Sequence, residues 1–206
     1  MRLTTGRALA AAGLFLLGLS GLAVPGFAQD TVRLRGTIEQ VEGDLLLIKT
    51  REGNEVKLKL AANPGIAAVT KATMADIKSG SYIGVGAMPQ PDGSLLAISV
   101  HIFSEAMRGL AEGHRPWDLR PNSTMTNATV ESVVTGVNGQ TVSLRYKDGE
   151  QKIVIPPDLQ IVAYVPGEVA DLKAGARVFV GAAAKQPDGT LQTQRITVGR
   201  DANPPM

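Results

Sequence analysis

The chain repeats itself, and this duplication limits its possible folds more than any other feature of the sequence. The segment TIEQV at residues 37–41 recurs as TVESV at 129–133, and QPDGSL at 90–95 recurs as QPDGTL at 186–191. The spacing between matching segments stays between 92 and 96 residues, so the copies differ by a few loop residues. The sequence therefore predicts two related structural units of similar size.

Within each copy, apolar residues alternate with polar ones, as in strands that bury one face. Val32, Leu34 and Ile38 show this period of two. Asp-Gly and Pro-Asp-Gly turns separate the alternating segments, and such turns supply the positive φ of a tight hairpin. One short helical turn interrupts each copy, at residues 76–78 and 171–173.

Each copy has enough predicted strands for a small barrel. Five or six short antiparallel strands in about 75 residues close most easily in this way, since closure hides the sheet edges. An open sandwich is the competing architecture. The last two strands of the copies are predicted at residues 82–88 and 95–103, and at 177–183 and 191–198.

The second copy carries a recognisable pattern. The run VADLKAGARVFV at residues 169–180 is followed by QPDGTL and by Arg195-Ile196. This pattern resembles a widespread family of exported bacterial domains of unknown function. The first copy follows it through ADIKSGSYIGV at residues 75–85, with Tyr82-Ile83 in place of the usual Arg-Val pair. The resemblance implies an OB-like barrel and an exported protein, and it carries no activity with it.

These observations predict an all-β protein with two tandem, small, OB-like antiparallel β-barrels, each with one short helical turn, joined by an ordered linker. The expected division of the chain is a signal peptide at 1–28, a first barrel at 30–104, a linker at 105–126, a second barrel at 127–199 and a flexible tail at 200–206.

Residues 1–28 have the features of a secretory signal. Two arginines precede an apolar run from Ala8 to Val24, and the small residues Gly26 and Ala28 stand at −3 and −1 of a cleavage site after Ala28. Cleavage there predicts a periplasmic or secreted protein, with no transmembrane segment remaining. An uncleaved membrane anchor is the alternative.

The charge balance argues against a nucleic-acid partner. The chain has 21 basic and 19 acidic residues, and loss of the two signal arginines leaves 19 of each. A nucleic-acid-binding protein needs a basic surface to displace counterions from phosphates. The sequence has no cysteine, which excludes disulfides, thiolate metal ligands and a cysteine nucleophile.

No motif of a known catalytic class is present. A nucleophile elbow of the Gly-x-Ser-x-Gly type is missing. Gly84 and Gly86 lie in an apolar strand rather than before a helix that binds phosphate. His101 or His114 could act as a base, but no nucleophile motif accompanies either. The sequence therefore predicts a non-enzymatic protein.

The segment from His101 to Met125 contains both histidines and the only tryptophan of the chain. It supplies imidazole and thioether groups, which suit copper(I), and the indole could cover such an ion. Small exported OB-like copper chaperones are similar in using histidine, methionine and tryptophan, although their ligands project from barrel strands at short spacing. This alternative predicts a copper site formed by His101, Met107, His114 and Met125.

The same segment also fits a structural connector. A short amphipathic helix over Ser104–Leu110 would have Met107 on its packed face, and Gly113 would end it. The RPWD sequence that follows would form an extended clasp whose indole packs between the barrels. Its aspartate is expected to pair with Arg115 or Arg120. The residues assigned to this clasp or interaction surface are Trp117, Arg115, Asp118 and His114.

We therefore expect an exported, non-enzymatic β-barrel binding or interaction module of the bacterial cell envelope, without a cofactor. An envelope protein, a peptide or a glycan is the expected partner, bound at a barrel groove beside the linker. The alternative is a periplasmic, copper-type metal-handling accessory protein that uses the histidine, methionine and tryptophan side chains of the linker.

Overall fold

The computed structural model describes residues 30–136 and 139–204, so the predicted signal peptide lies outside the described residues. Within this range the chain is all-β, with no α-helix. Three single 3-10 turns are present, at Met74–Asp76, Glu105–Met107 and Val169–Asp171. The strands are β1 (Thr31–Glu42), β2 (Leu45–Thr50), β3 (Glu55–Ala72), β4 (Tyr82–Pro89), β5 (Leu95–Ile102), β6 (Gly113–Pro116), β7 (Thr124–Gly136), β8 (Gly139–Tyr146), β9 (Gly149–Ile155), β10 (Ile161–Pro166), β11 (Arg177–Lys185) and β12 (Leu191–Gly199).

Five strands close into a β-barrel. β2 pairs antiparallel with β1 and β3, and β11 pairs antiparallel with β1 and β12. β12 completes the ring by running parallel to β3, from Leu191 opposite Leu58 to Gly199 opposite Val69. Alternate residues of these strands, such as Leu34 and Ile38, fill the interior. Closure pairs the backbone groups that an open sheet would leave exposed at its edges.

A second five-strand array follows the order β5–β4–β7–β8–β9. β9 returns to β5 through two parallel residue pairs, Leu95 with Ile153 and Leu96 with Val154. Residues such as Ile83 form a separate apolar core between these strands. β10 runs between β3 and β5 and joins the second array to the barrel in one continuous sheet.

The two copies of the repeat exchange strands. The barrel takes β1–β3 from the first copy and β11 and β12 from the second, whereas the second array takes β4 and β5 from the first copy and β7–β9 from the second. The register repeats as well: Thr37 lies opposite Arg177, and its counterpart Thr129 lies opposite Tyr82. The prediction that each copy closes on itself as one barrel of a tandem pair is therefore not confirmed. Matching strands of the two copies offer the same pairing pattern, so either copy can supply the partner.

The segment between the copies is less regular than expected. The helix predicted over Ser104–Leu110 is a single 3-10 turn that ends at Met107, because Arg108 has an extended ψ of 135° and Gly109 a positive φ of 80°. β6 and the first residues of β7 also fall within the predicted linker. By contrast, the last two strands of each copy lie where the turn signals placed them.

Residues 200–204, predicted as part of a flexible tail, contact the rest of the protein. The Arg200 guanidinium lies 2.7 Å from the carboxylate of Asp171. The Lys71 backbone N–H donates to Asp201 at 2.9 Å, and Ala202 is buried. Within the described ranges, no helix has the length and apolar character needed to cross a membrane.

Candidate functional site

A cavity of about 760 Å³ lies where the outer faces of the barrel and the second array meet. Residues 105–118, which we call the strap, line its remaining side. The volume falls within the roughly 300–1,000 Å³ typical of small-molecule sites. β1, β11 and β12 contribute barrel residues to its wall, and β5 and β7 contribute residues of the second array.

Two glycines of β4 provide room beside the cavity. A Cβ atom on Gly84 would overlap Nε2 of His101 and lie 2.7 Å from Oδ1 of Asn127. A Cβ atom on Gly86 would overlap the hydroxyl oxygen of Ser99. Side chains from the neighbouring strands therefore lie directly over the β4 backbone. Only glycine, which has no Cβ atom, leaves room for them there.

His101 lies in an aromatic cluster. Its ring meets Phe103 edge-on at 4.7 Å and Tyr164 edge-on at 5.2 Å between centroids, and Phe103 stacks on Tyr164 at 5.4 Å. Burial and the positive charge of Arg115 lower the pKa of His101 to about 3. The imidazole is therefore neutral at physiological pH, with one ring nitrogen as a donor and the other as an acceptor.

Three buried polar atoms of cavity-lining side chains have no hydrogen-bond partner in the described part of the chain. They are Nδ1 of His101, Oδ1 of Asn127 and Nε1 of Trp117. The amide nitrogen of Asn127 donates to the carbonyl oxygen of Leu110 at 3.0 Å, which fixes the orientation of that side chain. Burying an unpaired polar atom costs about 1–3 kcal/mol, so a ligand that pairs with these atoms would recover that cost.

An arginine cluster surrounds Trp117. The guanidinium carbons of Arg33, Arg35 and Arg115 lie 4.6, 5.4 and 5.9 Å from the indole centroid. Phe179 meets the indole edge-on at 6.1 Å. Guanidinium groups at such distances are attracted to the negative faces of aromatic rings.

The carboxylate of Asp118 connects two of these arginines. It accepts a hydrogen bond from Arg35 at 2.7 Å and lies 3.4 Å from Arg33. Partial burial favours the neutral acid, but Arg35 and Arg33 outweigh that effect and hold the pKa of Asp118 below its usual value. The predicted pairing with Arg115 or Arg120 is thus replaced by pairing with arginines of β1, which lie beside the strap.

The cavity carries excess positive charge. The arginine cluster contains three guanidinium groups and one carboxylate, that of Asp118, which pairs with two of them. Arg115 donates to the carbonyl oxygen of Ala111 at 2.8 Å, and burial and the nearby Arg33 lower its pKa. Arg195 lines the cavity as well. In the described residues neither Arg115 nor Arg195 forms an ion pair, and no acidic side chain lines the cavity.

The structure separates the four proposed copper ligands. His101, Met107 and Met125 all line the cavity. His114 lies opposite Thr126 in the β6–β7 pair, and its Nδ1 is 2.8 Å from the Thr126 hydroxyl oxygen. Since neighbouring residues of a strand face opposite sides, His114 is on the other face from Met125. Among the described residues, no three His, Asp or Glu side chains group as a metal site would require.

The predicted clasp residues are also divided. Trp117 and Arg115 line the cavity, and Asp118 holds the strap to β1 through its two ion pairs. The indole contacts side chains of β1 and β11, both strands of the barrel, rather than packing midway between two barrels. His114 takes no part in this cluster.

Sequence reasoning missed Arg35, which lies beside the indole of Trp117. It also missed several residues that line the cavity: Arg33, Phe103, Asn127, Tyr164 and Phe179. A signal for two of them was present in the repeat. Arg33 and Arg35 align with Met125 and Asn127 of the second copy. Two charged residues at outward-facing positions, matched by uncharged residues in the other copy, mark a surface where the copies have diverged.

No protein-family model matches this chain, and no curated protein or solved structure shows detectable similarity to it. Functional inference therefore depends on the geometry and chemistry of the cavity.

Proposed function

We propose that this protein is an exported, non-enzymatic binding module of the bacterial cell envelope, and that the cavity binds a small molecule. The observation that carries this proposal is the set of buried, unpartnered polar atoms, on His101, Asn127 and Trp117, in the wall of a cavity of about 760 Å³. Apolar walls with a few converging polar groups are typical of ligand sites. The expected partner is therefore a small molecule rather than the protein, peptide or glycan expected from sequence.

The signal-like residues 1–28 support export, and the resemblance to exported domains supports an OB-like fold. We further propose that the second array is a second small barrel of the same kind, built by strand exchange. The repeated register and the short β5–β9 contact support this interpretation.

The surroundings of the histidines support binding without catalysis. The His114–Thr126 contact has the composition of a base and a hydroxyl nucleophile, but Thr126 is completely buried and cannot reach a substrate. The neutral His101 contacts aromatic rings and has no described carboxylate partner to orient it as a base.

Copper binding remains a second candidate because His101, Met107 and Met125 line one cavity. Binding to the folded state must raise the unfolding temperature. If copper(I) acts here, copper(I) and silver(I) should both stabilise the protein, and His101→Gln should remove the effect. An unchanged unfolding temperature with both ions would exclude this candidate.

The small-molecule proposal can be tested by screening metabolite-like compounds for thermal stabilisation and for a change in the fluorescence of Trp117, the only tryptophan. Gly181 lines the cavity, and a Cβ atom there would meet only Phe179, at 3.9 Å. Gly181→Leu should therefore fill part of the cavity without unfolding the protein.

Compounds that bind the cavity should lose their effect in Gly181→Leu and keep it in Ala174→Leu. The control adds the same side chain at an exposed turn outside the cavity. If every stabilising compound acts equally on both variants, the cavity is not the binding site.

A further inference from the structure

We infer that the ligand is a small organic anion with a flat aromatic body and a hydrogen-bond donor. This inference rests on the proposed small-molecule function and specifies the class of ligand. It draws on three features of the cavity wall: unpaired guanidinium groups, clustered aromatic rings and a buried amide oxygen without a partner.

The anionic group is indicated by Arg115. Its guanidinium is half-buried, lies near that of Arg33, and donates one described hydrogen bond, to a carbonyl oxygen. Arg33 pairs with Asp118, whereas Arg115 forms no ion pair among the described residues, so an anion beside Arg115 would compensate a partly buried charge. The planar fork of arginine donors fits a carboxylate, sulfonate or phosphate group. Asp118 is already occupied by Arg35 and Arg33.

The aromatic body is indicated by the rings that face the cavity. Phe103 and Tyr164 stack with an interplanar angle of 14°, and both line the cavity. Trp117 and Phe179 line it beside the arginine cluster and are only partly buried. Flat aromatic surfaces bind ligand rings by stacking or edge contacts, worth about 0.5–1.5 kcal/mol per pair in comparable protein contacts. Inorganic phosphate would satisfy the arginines but leave these rings uncovered.

The donor is indicated by Asn127. Its side-chain oxygen can only accept a hydrogen bond, and it is buried without a described donor. The neutral His101 beside it can donate or accept through Nδ1. A ligand N–H or O–H group near its aromatic body would pair with Asn127, while the anionic group lies at Arg115.

Two dyes with the same aromatic body test this inference. Anilinonaphthalene sulfonate has a sulfonate, an N–H group and fused rings, whereas N-phenylnaphthylamine has the same rings and N–H group without the sulfonate. Each would be titrated against the folded protein by fluorescence, with inorganic phosphate as a competitor in a separate arm. We expect the sulfonate to bind about tenfold more tightly than the amine, as expected for one charge-assisted contact.

Arg115→Gln is the informative variant, because glutamine retains a donor for the Ala111 carbonyl but removes the charge. Arg145→Gln is the matched control, since Arg145 pairs with Glu131 on β7 outside the cavity. We expect Arg115→Gln to weaken the sulfonate about tenfold and to leave the amine unchanged. The control variant should bind both dyes like the original protein, and Gly181→Leu should bind neither.

Equal affinity for the two dyes, or an equal loss of both in Arg115→Gln, would overturn the inference of an anionic ligand while leaving a small-molecule site in place. If inorganic phosphate displaced the sulfonate dye at concentrations similar to those at which the dye itself binds, the ligand would not need an aromatic body. If neither dye binds but a screened compound stabilises the protein and loses its effect in Gly181→Leu, only the ligand class is wrong. If nothing binds the cavity, the proposed function fails as well.

Discussion

The two copies of the repeat have matching rows of residues beside the cavity, but the side chains in the two rows differ. The row in the barrel consists of Arg35, Phe179 and Thr197, and the corresponding row in the second array consists of Asn127, Gly84 and His101. In the barrel the central strand carries the ring. In the second array the central strand carries no side chain, and the ring of His101 reaches over it from the next strand.

This difference shows how a duplicated frame can form an asymmetric site. On the barrel side Arg33 lines the cavity with a positive charge, whereas the row in the second array contributes neutral hydrogen-bonding groups. A symmetric pair of rows would bind either end of a ligand equally well. Divergence at matched positions therefore gives the cavity a charged side and a neutral side, which would orient an asymmetric ligand.

The largest change in stability is expected at Gly84, the central residue of the second-array row. Gly84→Ala should destabilise the protein by about 3 kcal/mol, since the new methyl group overlaps His101, which is packed edge-on against Phe103 and Tyr164. Urea unfolding would measure this change. Gly181→Ala in the barrel is the control and should have little effect, because its Cβ meets only Phe179. Similar midpoints for both variants would mean that His101 can move aside.

The next effect depends on pH. The pKa of His101 falls to about 3 in the folded protein, through burial and then Arg115, whereas the unfolded chain binds a proton below about 6.5. The stabilising contribution is thus complete above about pH 6.5 and is lost as the pH falls, at about 1.4 kcal/mol per unit. By about pH 4.5 the loss should reach about 2.5 kcal/mol.

Urea unfolding at several pH values would measure this slope against His101→Gln, which has the same carboxylates but no imidazole. The variant should lose less stability between neutral pH and about pH 4.5. Equal losses would show that His101 is protonated in the folded state. The row in the second array would then have only one neutral hydrogen-bonding side chain, that of Asn127.

Removal of the indole should have an intermediate effect. Trp117→Ala should lower the free energy of unfolding by about 2 kcal/mol, because the partly buried ring contacts Phe179 and three guanidinium groups. Trp117→Phe retains an aromatic face and should recover about half of the loss. Thermal unfolding of both variants would show this, and no loss in Trp117→Ala would mean that the strap is held by other contacts.

The smallest effect is expected at the ion pairs of the strap. Asp118→Asn should cost about 1 kcal/mol at neutral pH, since the carboxylate is 44% exposed and solvent screens it. Its pKa is lowered in the folded state, so the contribution is present above the unfolded value and is lost as pH falls through the folded value. The variant and the original protein should therefore converge once the pH is below the lowered, folded-state pKa of Asp118.

Glu131→Gln, at the exposed Arg145 pair, is the control and should cost less. A difference between Asp118→Asn and the original protein that does not change with pH would contradict the assigned ion pairs.

The elements of the fold could be predicted from the sequence because they depend on local signals. The alternation around Leu34 and the turn at Pro91–Gly93 are local, and the strands lie accordingly. The exchange of strands could not be predicted, because β4 and β11 follow matching turns and offer equivalent partners to β1. The alternation of apolar and polar residues predicts which face of a strand is buried, but not whether its partner strand comes from the same copy or the other one.

The candidate site was predicted in part. Trp117, Arg115 and His101 stood out because they are rare or belong to an unrepeated segment, and they line the cavity. Arg33 and Phe179 did not stand out, since they occupy ordinary outward-facing positions of β1 and β11. Arg33 and Phe179 reach the cavity only because the exchanged strands pack beneath the strap. This tertiary contact cannot be read from the local sequence.

The strand exchange has a consequence for the order in which the protein can assemble during synthesis. β1 emerges early with an unpaired edge, and its partner β11 is among the last strands made; Thr31 and Ala184 are separated by about 150 residues of chain. The strands of the second array, from Tyr82 to Ile155, are all available before β11 appears. β1, β2 and β3 therefore cannot close into the barrel until β11 and β12 have been made.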